Sequence, residues 1–525
     1  MSTAKELIFE EIARDKLREG IEKLADVAAV TLGPTGRHVG LDQDFGAPLI
    51  THDGYTSVNK LELKDQYLNM GASMVKEVAA KMKEKCGDGT TTAILLLRAF
   101  VKNGIKNVAA GAAPISIKRG MEKALSAILQ ELTKMALPIA DEHSIRNIAV
   151  ISASGFSSVG DLISEAIAKV GKNGVITIEE GKSTETKLEM VEGMQIERGY
   201  LSGYFVTDAE EQAAVLHNAK VLITDKKIQS IHELLPLLEP LAKTGQPLLI
   251  IADDLAGDAL STLVINQLRQ TLKICAIKAP GFGDDRKAIL QDIAILTNGT
   301  CVSEELGMSL DKADITVLGE VQKVVIKKEN TVFIGGKGDL EALKNRLSQL
   351  EAESLACTTA YDKEKIEERR AKLAGGVAVI QVGGTTEPEM RQKKQLFEDS
   401  LSSTKAALEE GIVPGGGVAL LSAAKAALKL GLTGDELTGA EIVIKGCAAP
   451  FRQIVANCGL DPSTLLEQAT SKGMPFGFNA KTGKVEDLLS AGIIDAKKVV
   501  ANALTFAVGA AAMVLLTEVL IGNLE

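Results

Sequence analysis

Residues Cys86 to Ala93 read CGDGTTTA and run straight into ILLLRAF. Two glycines flank an aspartate, and three β-branched hydroxyl residues then open a leucine-rich helical run. Threonine is a mediocre helix residue, so a triplet at a helix mouth needs a reason. A glycine-rich turn that opens a helix presents unpaired backbone N–H groups and the positive end of the helix dipole to an anion. Threonine hydroxyls add donors, and Asp88 offers a hard oxygen of the kind that holds Mg²⁺ beside phosphates. The same letters also fit a plain Asp-Gly turn with a threonine cap, and the octapeptide alone leaves both readings open.

Two common nucleotide motifs come close and fail. Gly87 and Gly89 begin a G-x-G-x-x-G, but Thr92 takes the last position, and the preceding run is helical where a dinucleotide fold needs a strand. GKST at 181–184 resembles the end of a Walker A loop, but Ile176 stands where its first glycine belongs. Two other glycine clusters, TLGPTGR at 31–37 and VPGGGVAL at 413–420, are individually no more than a helix stop and a linker. Together with CGDGTTTA they suggest one composite pocket.

Around that motif the chain is patterned in three stretches. Leu17, Ile21, Leu24 and Val27 fall on one helix face, a strand-like APLIT ends in the turn pair Asp53-Gly54, and YLNMGASMVKEVAAKMKEK leads helically into the glycines. The middle alternates short β-branched runs (KVLITDKK, QPLLIIADD, KICAIKAPG) with helical spacing, which predicts an α/β layer with parallel strands. A charged helix from about Tyr361 to Lys372, a strand GGVAVIQVGG and a long helix from about Glu387 to Glu410 follow, and helices are expected from GIVPGGG to the end. Helical ends around an α/β middle predict one domain built from both termini, with the middle inserted.

At 525 residues the chain is long for a single core. The net charge of −10 excludes the basic footprint of non-specific nucleic-acid binding. Six scattered cysteines, with no C-x-x-C and no histidine cluster, read as thiols in a reducing compartment rather than a metal or disulfide set. The N-terminal MSTAKELIFEEIARDK has no signal-peptide core. Val499–Thr517 carries no charge but is only weakly apolar, so a helix buried on all sides is expected, and no membrane span.

TLGPTGRHV, GDGTTTA, KAPGFGDDRK and AALEEGIVPGGG together resemble a group I chaperonin of the bacterial GroEL type, in order along nearly the whole chain. The resemblance implies a helical equatorial domain (1–134 and 410–525), a small intermediate domain (135–191 and 378–409) and an α/β apical domain (192–377). It also implies a cytoplasmic ATP hydrolase coupled to protein folding, a homo-oligomer of one or two seven-membered rings that encloses unfolded polypeptide with a 10 kDa-type (GroES-type) cochaperonin. Its cofactors would be ATP, Mg²⁺ and a monovalent cation such as K⁺.

Carried over by motif, the ATP site would comprise Thr31, Leu32, Gly33, Pro34, His52, Asp88, Gly89, Thr90, Thr91, Thr92, Gly416, Asn479, Ala480 and Asp495, with Asp88 on the metal. Asp399 would orient or activate the attacking water, and Asp53 is the second acidic residue linked to hydrolysis. From periodicity alone Asp399, in LFEDSL, is a solvated residue.

Two apical helical runs carry more apolar residues than one stripe needs. Ile231, Leu234, Leu235 and Leu238 share a face that Leu237 lies off; Leu260, Val264 and Leu268 share another, with Ile265 beside it. The excess fits either a wide buried face or an exposed groove. The resemblance selects the groove, and places Tyr200, Tyr204, Phe205, Leu235, Leu238, Leu260, Val264 and Ile265 in it as contacts for polypeptide and cochaperonin. The sequence departs from the family pattern at His52 (usually lysine), Lys481 (usually small) and Gly203 (usually proline). A histidine at 52 either makes phosphate affinity follow pH near ~6.5 or points to solvent and acts only through its carbonyl. These departures keep a second function in view, a diverged paralogue with weak ATPase acting as a holdase. A small-molecule enzyme using the glycine loops lacks a nucleophile, a catalytic histidine pair or a metal cluster to support it.

Overall fold

Asp65 starts helix Gln66–Cys86 by accepting from the Tyr67 and Leu68 N–H groups at 2.9 and 3.1 Å, and Gly87, at φ +69°, ends it. Helix Thr90–Ala109 begins after Gly89, also left-handed at φ +80°. The opening motif is therefore a tight Gly-Asp-Gly turn between two long helices. The structure is a computed structural model that describes residues 5–523 apart from 43–47, 140, 154, 172–173, 182, 210, 304, 306 and 358. The first four residues of the N-terminal segment and Lys182 of GKST thus lie outside the described residues.

The chain divides into two compact units: Met1–Glu165 with Gly384–Glu525, and Ala166–Gly383. In the first unit, helices Glu10–Ala29, Gln66–Cys86, Thr90–Ala109, Pro114–Met135 and Lys497–Leu516 pack on one another. The two chain ends meet there as an antiparallel ribbon, Lys5–Phe9 on Val519–Asn523. Helix Lys497–Leu516 is long and apolar enough to cross a membrane by length and composition alone. It is a core helix here, with Ala503, Leu504, Ala507 and Leu515 buried against Thr90–Ala109 and Pro114–Met135. It is not buried on all sides: Gly509 and Met513 face solvent.

The return to helices after GIVPGGG is also incomplete. Phe476–Asn479 and Lys484–Asp487 form a hairpin, and Ile494–Ala496 pairs with Ile412–Pro414. These strands are three or four residues long, too short to show an alternating pattern.

The second unit holds a mixed sheet in the order Ile274–Lys278, Leu248–Ala252, Ala214–Thr224, Gly319–Ile326, Thr331–Gly336, Gly193–Ile196. Only the first three of these, with Cys301–Val302 beside Ala214–Thr224, are parallel. The remaining pairings are antiparallel, so the expected parallel layer covers half of the sheet. The long helix and the charged helix stand where the sequence placed them, at Glu387–Glu410 and Ala360–Ala374. All six cysteines are free thiols.

Candidate functional site

The Gly-Asp-Gly turn and the other two glycine loops, at 31–37 and 413–420, all lie in the first unit. Helix Glu387–Glu410 packs directly on the Gly-Asp-Gly turn: a Cβ at Gly87 would lie 2.3 Å from the Ser402 Cβ. That contact brings Asp399, one turn earlier on the same helix, to the end of helix Gln66–Cys86. There Lys83 Nζ donates to Asp399 Oδ1 at 2.8 Å, and Gln395 Nε2 donates to the same oxygen at 2.7 Å.

Asp53 caps the short helix Gly54–Asn59, accepting from the Tyr55 and Thr56 N–H groups at 3.2 and 2.8 Å and from the Thr56 hydroxyl at 2.6 Å. Its charge acts on both Asp399 and Lys83. Gly54 is wedged against the threonine helix, so the acidic cap and the Thr91 hydroxyl are neighbours.

The electrostatics mark this as a place that wants cations. Asp88, Asp399 and Asp495 each keep some accessible surface, but the protein mass around them weakens hydration of the charged form. Loss of solvent pushes Asp88 up, opposed by the Gly89 N–H and the Ser152 and Ser403 hydroxyls. Asp399 rises to about 7 through burial, with Lys83 pulling it down and Asp53 and Asp88 pushing it up. Asp495 also rises to about 7, through burial and the charge of Asp88. Burial opposes the Lys83 ammonium, but Asp399, Asp53 and Glu398 outweigh it and raise its pKa.

Among the described residues no group of three histidine, cysteine, aspartate or glutamate side chains forms a metal cage. Mg²⁺ in nucleotide sites takes one or two carboxylates and completes its shell with phosphate oxygens and water. A lone, poorly hydrated Asp88 on a glycine turn fits that pattern.

The first loop is held from a distance. Thr31 donates its hydroxyl to Ala28 O at 2.8 Å, and Gly33, at φ +83°, turns the chain so that Gly36 N–H reaches Gly33 O at 2.9 Å. Leu32 and Pro34 complete the turn. Asn457, at the end of helix Ala449–Asn457, donates to both Ala29 O and Leu32 O, at 2.9 and 2.8 Å. Sequence reading missed Asn457, because only the fold brings it to a loop more than four hundred positions away.

In the loop at 413–420, Gly416 adopts φ +62°, with its Cα facing Leu488 and the Phe478 carbonyl. Asp495 lies beside the same Gly-Gly-Gly run through the pairing of Val413 with Asp495. Asn479 spends its side chain on its own hairpin, donating to Glu486 at 2.5 Å and accepting from Lys481 N–H at 2.9 Å, next to Ala480. The Lys481 residue is exposed.

His52 has an unforeseen partner. Strands Val39–Leu41 and Leu49–Thr51 pair with Val39 opposite Thr51, which sets His38 opposite His52. The rings meet edge to face with centroids 5.4 Å apart. Burial, then the His38 charge, lower the His52 pKa; Asp53 and a hydrogen bond to the Gly36 backbone act against that.

Residues 24–523 match the TCP-1/cpn60 chaperonin family. The chain belongs to that family. It is 56% identical over 525 residues to Chaperonin GroEL 3 of Protochlamydia amoebophila (strain UWE25), covering 100% of this chain and 98% of that protein. It also resembles the crystal structure of chaperonin gp146 from the bacteriophage EL 2 (Pseudomonas aeruginosa) in the presence of ATP-BeFx, with a TM-score of 0.70, 21% identity and 99% of each chain covered. The fold is therefore the chaperonin fold, a helical part carrying an inserted α/β part.

In the chaperonin's second unit the candidate apolar contacts divide by exposure. Tyr204 and Ile265 are 66% and 48% exposed, and Leu268 is 59% exposed. Tyr200, Leu235, Leu260 and Val264 are partly buried. Phe205 is fully buried, and Leu238 nearly so, both within the core of this unit. These two offer little or no surface to a partner. The buried stripe of the first helical run is Leu234, Leu237, Leu238 and Leu241. Leu237 faces inward because the run is not one helix. A 3₁₀ turn, Ile231–Glu233, capped by Ser230, precedes helix Leu235–Thr244 and resets its phase.

Proposed function

We propose that this chaperonin is an ATP-driven folding machine. It hydrolyses ATP at the Gly-Asp-Gly site, captures non-native polypeptide on an apolar apical face and encloses it, with a 10 kDa-type cochaperonin, in a cytoplasmic homo-oligomer of one or two seven-membered rings. The equatorial part would be 1–134 with 410–525, the intermediate part 135–191 with 378–409, and the apical part 192–377. The observation that carries the reading is the convergence of Asp53, Asp88, Asp399 and Asp495 on a glycine turn that opens a helix beginning with three threonines.

Backbone N–H groups of Gly89 to Thr92 and the threonine hydroxyls would bind the phosphates, with the Thr31–Pro34 turn closing on them. Mg²⁺ at Asp88 would offset phosphate charge. Asp399 would take a proton from the attacking water through Oδ2, which accepts no hydrogen bond among the described residues. Asn479, Ala480, Gly416 and Asp495 would hold the base and ribose.

The direct test is Asp399→Ala in the assembled protein. ATP binding should persist and hydrolysis should slow by on the order of 10²-fold, the scale of a lost general base. Unchanged turnover would remove the proposed chemistry.

A holdase with weak ATPase is the second reading. What favours it is the same Asp399, which at about 7 is only half ionised at neutral pH. Client held without ATP-dependent release would select it.

A further inference from the structure

Lys83 lies in the last turn of helix Gln66–Cys86, where its carbonyl accepts the Gly87 N–H at 3.1 Å. The backbone that carries it is thus locked to the Gly-Asp-Gly turn. Its side chain is 29% exposed and that of Asp399 18% exposed, so their 2.8 Å pair is shielded from water on most sides. An ion pair in such a setting has a strong effect on its members, and removing one partner leaves the other uncompensated.

Both donors to Asp399, Lys83 and Gln395, converge on Oδ1. This fixes the carboxylate plane and leaves Oδ2 open. Asp53 and Asp88 face the same carboxylate with like charge, and Glu398 acts on Lys83 from the same helix.

Other elements packed on helix Glu387–Glu410 bring charges that are engaged elsewhere. Arg146 pairs with Asp161, Lys497 with Glu410 and Lys498 with Glu409, while Asp495 on Ile494–Ala496 adds negative charge near Asp88. Among the described residues, Lys83 is the cation bonded to Asp399.

We infer that Lys83 is a positioning residue for ATP hydrolysis, fixing the orientation and charge of the Asp399 carboxylate so that Oδ2 can accept the proton of the attacking water. The inference rests on the proposed ATPase function. Burial and two neighbouring carboxylates already push Asp399 up to about 7 with Lys83 present. Phosphates would push it further, and without the ammonium the group would be protonated at neutral pH and unable to act as a base.

The experiment is single-turnover ATP hydrolysis at saturating Mg-ATP between pH 5.5 and 9, on the assembled chaperonin. It compares wild type with Lys83→Met, Lys83→Gln, Lys83→Arg and Asp399→Ala. In Lys83→Met and Lys83→Gln the acid limb should move up by about 1–3 pH units, the usual influence of a close opposite charge. Turnover at pH 7 then falls about tenfold or more and recovers toward pH 9, with ATP affinity little changed, and Lys83→Arg keeps the wild-type limb.

Lys83→Gln retains a donor of similar length, so it reports the charge even where Lys83→Met fails to assemble. A wild-type limb in Lys83→Gln, or faster turnover at pH 7, overturns the inference while an inactive Asp399→Ala leaves the ATPase reading standing. Wild-type turnover in Asp399→Ala, or no turnover in the wild type, overturns both.

Discussion

Gly54 and Thr91 approach so closely that a Cβ on Gly54 would lie 2.1 Å from the Thr91 hydroxyl and 3.3 Å from its Cβ. The contact joins the helix capped by Asp53 to the helix that opens with three threonines. Thr91 is β-branched, so rotating it only exchanges its hydroxyl for its methyl in the crowded place. Gly54→Ala should therefore cost about 1–3 kcal/mol, the range for overpacking. It should also weaken ATP binding about tenfold, the scale of one lost charge-assisted hydrogen bond. Adding Thr91→Ala should restore stability and not affinity, a split that denaturation and titration calorimetry on the single and double variants would measure. Restored affinity in the double variant would show that the Thr91 hydroxyl does not touch nucleotide.

The exposed apical side chains give a different kind of test. Ile265→Ser and Tyr204→Ser remove apolar surface that already faces water, so the second unit should keep its stability within about 0.5 kcal/mol. Capture of an unfolded client should fall severalfold, because apolar contact at ~25 cal/mol per Å² is the attraction that unrelated clients share. Phe205→Ser should instead unfold part of this unit, since Phe205 is fully buried. Client capture measured by suppression of aggregation, beside thermal denaturation, separates the two classes. Full capture by Ile265→Ser and Tyr204→Ser together would move the binding face elsewhere.

The difference between those residues was not legible in the chain. Leu235 and Leu237 are both leucines two positions apart, and only the 3₁₀ turn at Ile231–Glu233 decides which faces the sheet. The glycine loops were legible, because a turn between helices that needs left-handed backbone must spell itself with glycine, as at Gly87 and Gly89. Asp399 was not: its turn is half charged, and its importance comes from Lys83 and Asp53, which reach it from elements remote in sequence. His38 could have been found. A hairpin that pairs Val39 with Thr51 necessarily sets 38 against 52, but the strands are three residues each and too short to announce their register.

Asp495 provides a sign that can be checked in the ligand-free protein. Its folded pKa, about 7, lies far above the unfolded value of ~3.9. A carboxyl raised in this way contributes stability below the unfolded value and loses it as pH rises through the folded one. Between pH 6 and 8 the apo protein should thus lose stability, with Asp399 contributing in the same direction. Asp495→Asn should remove its share and stabilise the apo protein at pH 8 by on the order of 1 kcal/mol or more, read as a higher midpoint of thermal unfolding. Equal midpoints for wild type and variant at pH 8 would show that Asp495 is well hydrated.

His52 is the site where sequence and structure lead to different windows. A free histidine would titrate near ~6.5 and make phosphate affinity change there. Burial and the facing His38 lower the folded value instead. A histidine whose pKa is depressed by folding contributes stability above the unfolded value and loses it as pH falls through the folded one. The neutral form therefore prevails at pH 7 to 8, so His52 adds no change in the ATP dissociation constant there, and a change in that window belongs to Asp399 and Asp495, which titrate at about 7. Below ~6.5 protonation of His52 should have two effects: it tightens ATP binding by placing a positive charge near the phosphates, and it lowers thermal stability, against the gain from Asp399 and Asp495. His38→Asn removes the facing charge, so the affinity change should move to higher pH, while the loss of stability should still begin at the unfolded value but end sooner and be smaller. His52→Gln should abolish both. Calorimetric ATP titrations and thermal unfolding from pH 5.5 to 8 on the three proteins decide the matter. An affinity change below pH ~6.5 as large in His52→Gln as in the wild type would assign the titration to another group.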